Sequence, residues 1–392
     1  MTLVRTAAAA AAVALLLSAC GPSSFSDVAE QAVKDGLPGI AIYVQKGADN
    51  WTGVAGVADL RTGTKLRADD RFLLVGPTGL MVATAAMQLI EAGTLRLDDP
   101  VSANTGMDGI YGIPEINRIA IRNVLNHSTG LLDPYTQYAF LQRVVGTDAV
   151  VGNSFTPRDG VKELTTNGMR PLFRPGQGAS YSAGNETLLA LAIEGTLKAD
   201  LAHVLKDRVF TPSGMTNAHL AGFEAGGTIV PGYHQASPQL KYLGINSKLP
   251  DAKPGYSDMS ALSPTWAWAA GGVAASVGDL GRFAAALFGG KLVKPETLKV
   301  MQTFDGPAGT GPLGDPVEFG FGLLRKKVGG DEAVGFEGEA LGYAALVFQF
   351  SDGVTVAAVA NGSGGKSGLD KVAASIHQLI KTSGGQKLFA PK

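Results

Sequence analysis

The side chains able to do chemistry in this 392-residue chain are few and widely spread. Five histidines, His127, His203, His219, His234 and His377, stand without metal-ligand spacing. A single cysteine, Cys20, allows neither an intrachain disulfide nor a multi-cysteine zinc site. No metal and no cofactor is expected. The glycines at Gly271, Gly272, Gly329 and Gly330 lie outside any G-x-G-x-x-G or Walker frame, so they read as turns or strand entries. His127 with the adjoining hydroxyls Ser128 and Thr129, the phenol of Tyr181 and the thiol of Cys20 are further candidates. His127 reads as a structural or supporting histidine, and Ser128 and Thr129 as loop braces. Tyr181 reads as a pocket-lining or hydrogen-bonded tyrosine unless a nucleophile stands beside it.

Cys20 closes a targeting segment. Met1 to Arg5 carries one positive charge, and Ala7 to Leu17 is an unbroken run of 11 apolar residues. Leu17-Ser18-Ala19-Cys20 then resembles the bacterial lipobox, whose cysteine is acylated and becomes residue one. The run is too short to span a bilayer, which takes about 20 residues. Residues 1–19 are therefore expected to be a lipoprotein signal peptide and 20–36 a lipidated tether with a first helix. An exported protein held to a membrane of the bacterial cell envelope through Cys20 follows, with a cell-wall or envelope partner within its reach. Nucleic acid is not an expected partner, because 33 Lys and Arg against 34 Asp and Glu give no basic field. A composition 45% hydrophobic and 17% charged excludes disorder as the dominant state.

The elements that must position any site follow from the apolar pattern. Helix is expected over Asp27 to Lys34, a strand over Gly39 to Val44, and a second over Trp51 to Val57 after turn signals at Gly47 and Asn50. Leu80 to Ala92 is apolar on nearly every side, which predicts a buried helix. Leu188 to Glu194 and Leu280 to Phe288 read as further helices. Strands return at Phe321 to Lys327, Tyr343 to Phe350 and Val354 to Ala360, before an amphipathic helix over Leu369 to Lys381. Strands near both ends with helices between predict one sheet built from both ends of the chain, with a mostly helical lobe inserted.

Several segments resemble the serine β-lactamase and penicillin-binding-protein superfamily, in particular its class C and esterase branch. Phe72 leads through Val75-Gly76-Pro77-Thr78-Gly79 into Met87-Gln88-Leu89-Ile90-Glu91-Ala92-Gly93 and then Leu97-Asp98-Asp99-Pro100-Val101. Asn126-His127-Ser128-Thr129-Gly130-Leu131, Arg174-Pro175-Gly176 before Tyr181-Ser182, and Gly271-Gly272 before Asp279-Leu280 follow in the family's order. The resemblance spans about residues 37–380. It implies an α/β serine β-lactamase-like (transpeptidase) fold, an antiparallel sheet flanked by helices. The domain would cover 37–385, with an α/β lobe at about 37–95 and 300–385 and a helical lobe at about 96–299.

The same resemblance implies three site motifs, S-x-x-K, Y-x-N and K-T-G or H-x-G. Here they are degenerate. The S-x-x-K positions are Gly76 and Gly79, and no Ser or Lys stands between Phe72 and Glu91. Thr78 is the only hydroxyl within that motif, and no lysine follows three residues later to activate it. The second motif keeps Tyr181 but has Ala183 for Asn, and the third keeps Gly338 but has Phe336 for His or Lys. Strand alternation puts Phe336 and Gly338 on one face and Glu337 and Glu339 on the other, so one pair or the other faces the cleft. The expected function is a cell-envelope lipoprotein of hydrolase fold, a pseudoenzyme that binds or scaffolds. The alternative is an active serine hydrolase, of esterase, D-Ala-D-Ala carboxypeptidase or β-lactamase type, with a displaced nucleophile.

Overall fold

A computed structural model describes residues 22–389 except 104, 106–111, 146–154, 157–158, 161, 163, 165–169, 236–248, 365–367 and 384–387. The expected signal peptide and Cys20 lie outside the described residues. The helices used below are α1 (Phe25–Lys34), α2 (Pro77–Glu91), α3 (Ile121–Leu125), α4 (Ala183–Leu197), α5 (Val277–Phe288) and α6 (Leu369–Ser383). The strands of the main sheet are β1 (Gly39–Lys46), β2 (Asp49–Gly56), β3 (Gly309–Thr310), β4 (Pro316–Phe319), β5 (Leu324–Val328), β6 (Asp331–Ala340), β7 (Tyr343–Phe350) and β8 (Thr355–Ala360). They lie in the order β2-β1-β8-β7-β6-β5-β4-β3, every pair antiparallel.

Both faces of this sheet are covered. Tyr43, Ala357, Val347 and Phe336 form one cross-strand row, and Gly281 of α5 packs on Tyr43 while the start of α2 packs on Gly338 of β6. The opposite face meets α1, where Phe25 touches Trp51 with ring centroids 5.3 Å apart, and α6, where Asp370 reaches the side chain of Lys326. Burial on two sides removes the polar half of the usual alternation. That is why β7 and β8 read as continuous apolar runs, with all but Gln349 buried.

Three local features differ from expectation. The β1–β2 turn is Gly47-Ala48, and Asn50 lies inside β2 opposite Gln45. The strand expected from Phe321 starts only at Leu324, after Gly322 takes φ +82°. The ten-residue strand β6 runs well beyond 336–339, the only part of it that reads as strand in the sequence. Its sequence, DEAVGFEGEA, mixes glycines and acids into the run and hides the strand pattern.

Candidate functional site

Helix α2 enters the site from Gly76, its N-cap, at φ +88° and ψ −67°, with Pro77 supplying the first helical φ. Only glycine adopts such a backbone without strain. A Cβ at Gly76 would run into the carbonyl of Glu337 and stand 2.6 Å from the amide nitrogen of Gly338. Conversely, a Cβ on Gly338 would lie 2.9 Å from the Cα and nitrogen of Gly76. The two glycines thus let the helix start lie directly on strand β6. The Gly76 N–H is also spent, donating to the Ala270 carbonyl at 2.9 Å. An oxyanion hole needs such a donor free.

One turn along α2, the volume beside Gly79 belongs to another side chain. A Cβ there would meet Glu186 Cγ at 2.8 Å and its Oε1 at 2.9 Å. Glu186 comes from the first turn of α4 and is 5% exposed. Burial pushes its carboxyl well above the usual range. Its Oε2 has no hydrogen-bond partner and its Oε1 lies 3.7 Å from His127 Nε2. A buried acid occupies the space in which a lysine base would stand.

His127 sits just after α3 at φ +53°, a left-handed conformation that a histidine holds only when its surroundings fix it. Its Nδ1 faces the side-chain amide of Asn185 at 2.9 Å and the backbone N–H of Ser182 at 3.3 Å. Two N–H donors assign Nδ1 as the acceptor and place the proton on Nε2. Burial lowers the ring to about 3, so it is neutral. Thr129 completes the brace, donating to Asn185 Oδ1 at 2.8 Å. His127 is thus held through Nδ1 by Asn185 and Ser182.

Phe336, 2% exposed, is the member of its alternating pair that faces this cluster. Its ring centroid is 6.1 Å from both His127 and Tyr181, and Phe319 closes against His127 at 4.7 Å. Glu337 points through the other face of the sheet, where Lys326 Nζ binds it at 2.5 Å together with Asp315 at 2.6 Å and Asp370 at 2.7 Å. These three carboxylates would suit a cation, and the Lys326 ammonium already sits among them. Ala183 donates its N–H to Asp133 Oδ1 at 3.2 Å and offers no amide side chain to the cleft. Beside the site lies a cavity of about 250 Å³ whose lining includes Val75, Asp133, Tyr181, Gly338 and Glu339.

The comparisons with known proteins give the family and the fold. Residues 25–379 match the family model described as Beta-lactamase. The chain belongs to the beta-lactamase family. Esterase EstB of Burkholderia gladioli is 26% identical over 317 residues, 76% of each chain, and D-aminopeptidase of Brucella anthropi is 28% identical over 219 residues, 53% of this chain. The chain spans 39% of that aminopeptidase and 59% of PbpX of Bacillus subtilis (strain 168), well under two thirds of either relative's length. Among solved structures, D-amino acid amidase from Ochrobactrum anthropi SV3 superposes with TM-score 0.80 at 22% identity, covering 92% of this chain and 98% of that one. A D-stereospecific amidohydrolase from Streptomyces sp. gives TM-score 0.73 at 27% identity, covering 89% and 97%.

In this beta-lactamase-family protein the motif positions expected from the sequence, Gly76, Gly79, Tyr181, Ala183, Phe336 and Gly338, gather round one buried cluster. The hydroxyls nearest to it are engaged. Thr78 donates to the Leu74 carbonyl at 2.8 Å and accepts from Val273 N–H at 3.2 Å; Ser182 donates to the Leu132 carbonyl at 3.0 Å. Sequence reasoning missed Glu186, Asn185 and Asp133. The signal was there for the first two: Asn185-Glu186 puts an amide and an acid in the first turn of an otherwise apolar helix.

Proposed function

We propose that this protein is a cell-envelope lipoprotein whose beta-lactamase-type cleft binds a ligand without hydrolysing it. The observation that carries the reading is at Gly76, where the backbone of β6 leaves no room for any side chain at the position of the nucleophile. Loss of the nucleophile from a serine hydrolase costs on the order of 10⁶ in turnover. A displaced nucleophile finds little support, since Thr78 and Ser182 both have their hydrogens committed. The activities named for the relatives belong to those proteins. The cleft also supports a narrower ligand range than a penicillin-binding site, because Gly79 and Phe336 stand where a lysine and a cationic or polar group would pair with a ligand carboxylate. Burying an unpaired carboxylate is costly. Export and anchoring through Cys20 belong to the same proposal and rest on the lipobox-like sequence.

The test is labelling of the purified full-length protein in non-ionic detergent with a fluorophosphonate and a fluorescent penicillin, beside a reactive relative as positive control. The expected result is no covalent adduct by intact-mass spectrometry. Stoichiometric acylation mapped to a Ser or Thr near Thr78 or Tyr181 would overturn the reading.

A further inference from the structure

We propose that Asp315, Glu337 and Asp370, on the face of the sheet turned away from the cleft, bind one calcium ion, which shares their cluster with the Lys326 ammonium. The inference stands apart from the reading of the cleft.

The first argument is charge. Lys326 Nζ lies 2.6 Å from Asp315 Oδ2, 2.5 Å from Glu337 Oε1 and 2.7 Å from Asp370 Oδ2. Three carboxylates thus face one ammonium, and among the described residues no second Lys, Arg or His pairs with any of them. The ammonium offsets one negative charge and leaves two, at a place where Glu337 is 1% and Lys326 8% exposed. Buried charge without a counter-charge is costly. A divalent ion supplies the two missing charges and brings the cluster to neutrality.

The second argument is a set of oxygens with nothing to bind. Among the described residues seven buried side-chain polar atoms have no hydrogen-bond partner, and three of the seven are Asp315 Oδ1, Glu337 Oε2 and Asp370 Oδ1. Each is the carboxylate oxygen that Lys326 does not take. One oxygen from each acid lies within 4.8 Å of the other two, a separation that oxygens about 2.4 Å from one calcium show. All three donors are hard oxygens, which suits calcium or magnesium and not the softer transition metals. Magnesium demands near-ideal octahedral geometry at about 2.0–2.1 Å, whereas calcium accepts an irregular shell. The acids come from three separate places, the turn before β4, the middle of β6 and the first turn of α6, and such a set gives an irregular shell. The Asp315 and Asp370 side chains are 32% and 38% exposed, which gives the ion a way in and water access to complete its shell. Glu337 stands between Phe336 and Gly338, so the ion ties the strand that lines the cleft, from behind, to α6 and to the turn before β4.

The test is titration calorimetry of the full-length protein in non-ionic detergent at neutral pH, stripped with EDTA and moved into chelator-free buffer, with calcium chloride and magnesium chloride. The expected result is one calcium per chain with Kd between about 10 µM and 1 mM, the ammonium keeping it from being tighter, and magnesium at least about fivefold weaker. The midpoint of thermal unfolding should rise by about 5 °C at a hundredfold excess of calcium over Kd. Asp315→Asn and Asp370→Asn change partly exposed side chains with no change of size, and each should weaken calcium about tenfold or more; Glu337→Gln should abolish binding. Lys326→Met should tighten calcium about tenfold or more, because the competing charge is gone, and a salt effect spread over the surface would not respond in that way. The proposal is overturned by a wild type that binds no calcium up to about 10 mM, by an equal rise in melting with sodium chloride at the same ionic strength, by magnesium binding as tight as calcium, or by a calcium affinity that none of the three acid variants changes. Calcium bound by Lys326→Met and not by the wild type would make the ammonium the cluster's sole cation and overturn it too. The cleft has no part in these readouts, so their failure leaves the non-catalytic reading standing, and acylation in the labelling experiment leaves this site open to the titration.

Discussion

Placing the family's motif residues at Gly76 and Gly79 should damage the fold before it supplies any chemistry, and Gly76 shows by how much. Gly76→Ala adds one carbon at φ +88°. Holding a non-glycine residue in such a region costs about 1–3 kcal/mol. The new Cβ also meets atoms that cannot rotate away, the Glu337 carbonyl and the Gly338 amide, and overpacking of this kind costs about 1–3 kcal/mol more. The sum is about 2–6 kcal/mol, a large share of the roughly 5–15 kcal/mol that keeps a protein folded. At roughly 2 °C per kcal/mol, Tm should fall by about 4–12 °C. Gly338→Ala provides an internal control, since it makes the mirror contact with Gly76 at 2.9 Å but has no positive φ. It should lose only the packing part, about 1–3 kcal/mol. The assay is thermal unfolding followed by circular dichroism, with the double variant Gly76→Ser/Gly79→Lys then tested for acylation by intact mass. A Gly76→Ala variant melting within a degree of the wild type would refute the close approach of α2 to β6. Stoichiometric acylation of the double variant would refute the claim that the site has closed.

His127 is neutral in the fold at about 3 but takes a proton near 6.5 when unfolded. Its contribution to stability is therefore full above pH 6.5 and is lost as pH falls toward 3, at about 1.4 kcal/mol per pH unit. Urea unfolding of wild type and His127→Asn, a residue that tolerates the left-handed backbone, should show the stability difference shrinking by that slope between pH 6 and 4; parallel profiles would be the contrary result. Lys326→Met should cost about 3–5 kcal/mol at pH 7, because it leaves Glu337 and two further acids without their counter-ion. The loss should ease at lower pH, where Glu337, held well above the usual carboxylate range by burial, takes up a proton; a change under 1 kcal/mol at pH 7 would contradict it. Cys20→Ala should abolish acylation of the N-terminus and release the protein from membranes, as judged by fractionation and mass spectrometry. A mature N-terminus elsewhere with no lipid attached would refute that assignment.

The parts of the fold that could be read in the sequence are those whose burial writes a simple pattern. Helix α2 is buried nearly all round and reads as an apolar stretch, while β7 and β8 are covered on both faces and read as unbroken runs. Most of strand β6 escaped because each of its faces does something unusual. Gly335 and Gly338 are small so that neighbouring backbone can approach, and Glu337 is buried with an ion partner. The glycine positions of the site were visible only through the resemblance, since Gly76 and Gly79 taken alone read as an ordinary turn and a weak spot in a helix. Glu186 was invisible for another reason. Its role is set by the volume that Gly79 vacates about a hundred residues earlier, and no local pattern records that pairing.

That pairing bears on how the site came to its present form. Were Gly76 and Gly79 simple deletions of functional side chains, two voids would remain, each costing stability in proportion to its volume. The structure has none at either point. Gly76 and Gly338 bring helix and strand into contact, Glu186 fills the space beside Gly79, and Phe336 packs with Phe319, Tyr181 and His127. Each replacement depends on another: a lysine at 79 needs Glu186 moved, and a serine at 76 needs β6 moved. Residues in direct contact do not contribute independently to stability. These positions therefore behave as one packed unit, and each single substitution toward the family's motif residues should be destabilising.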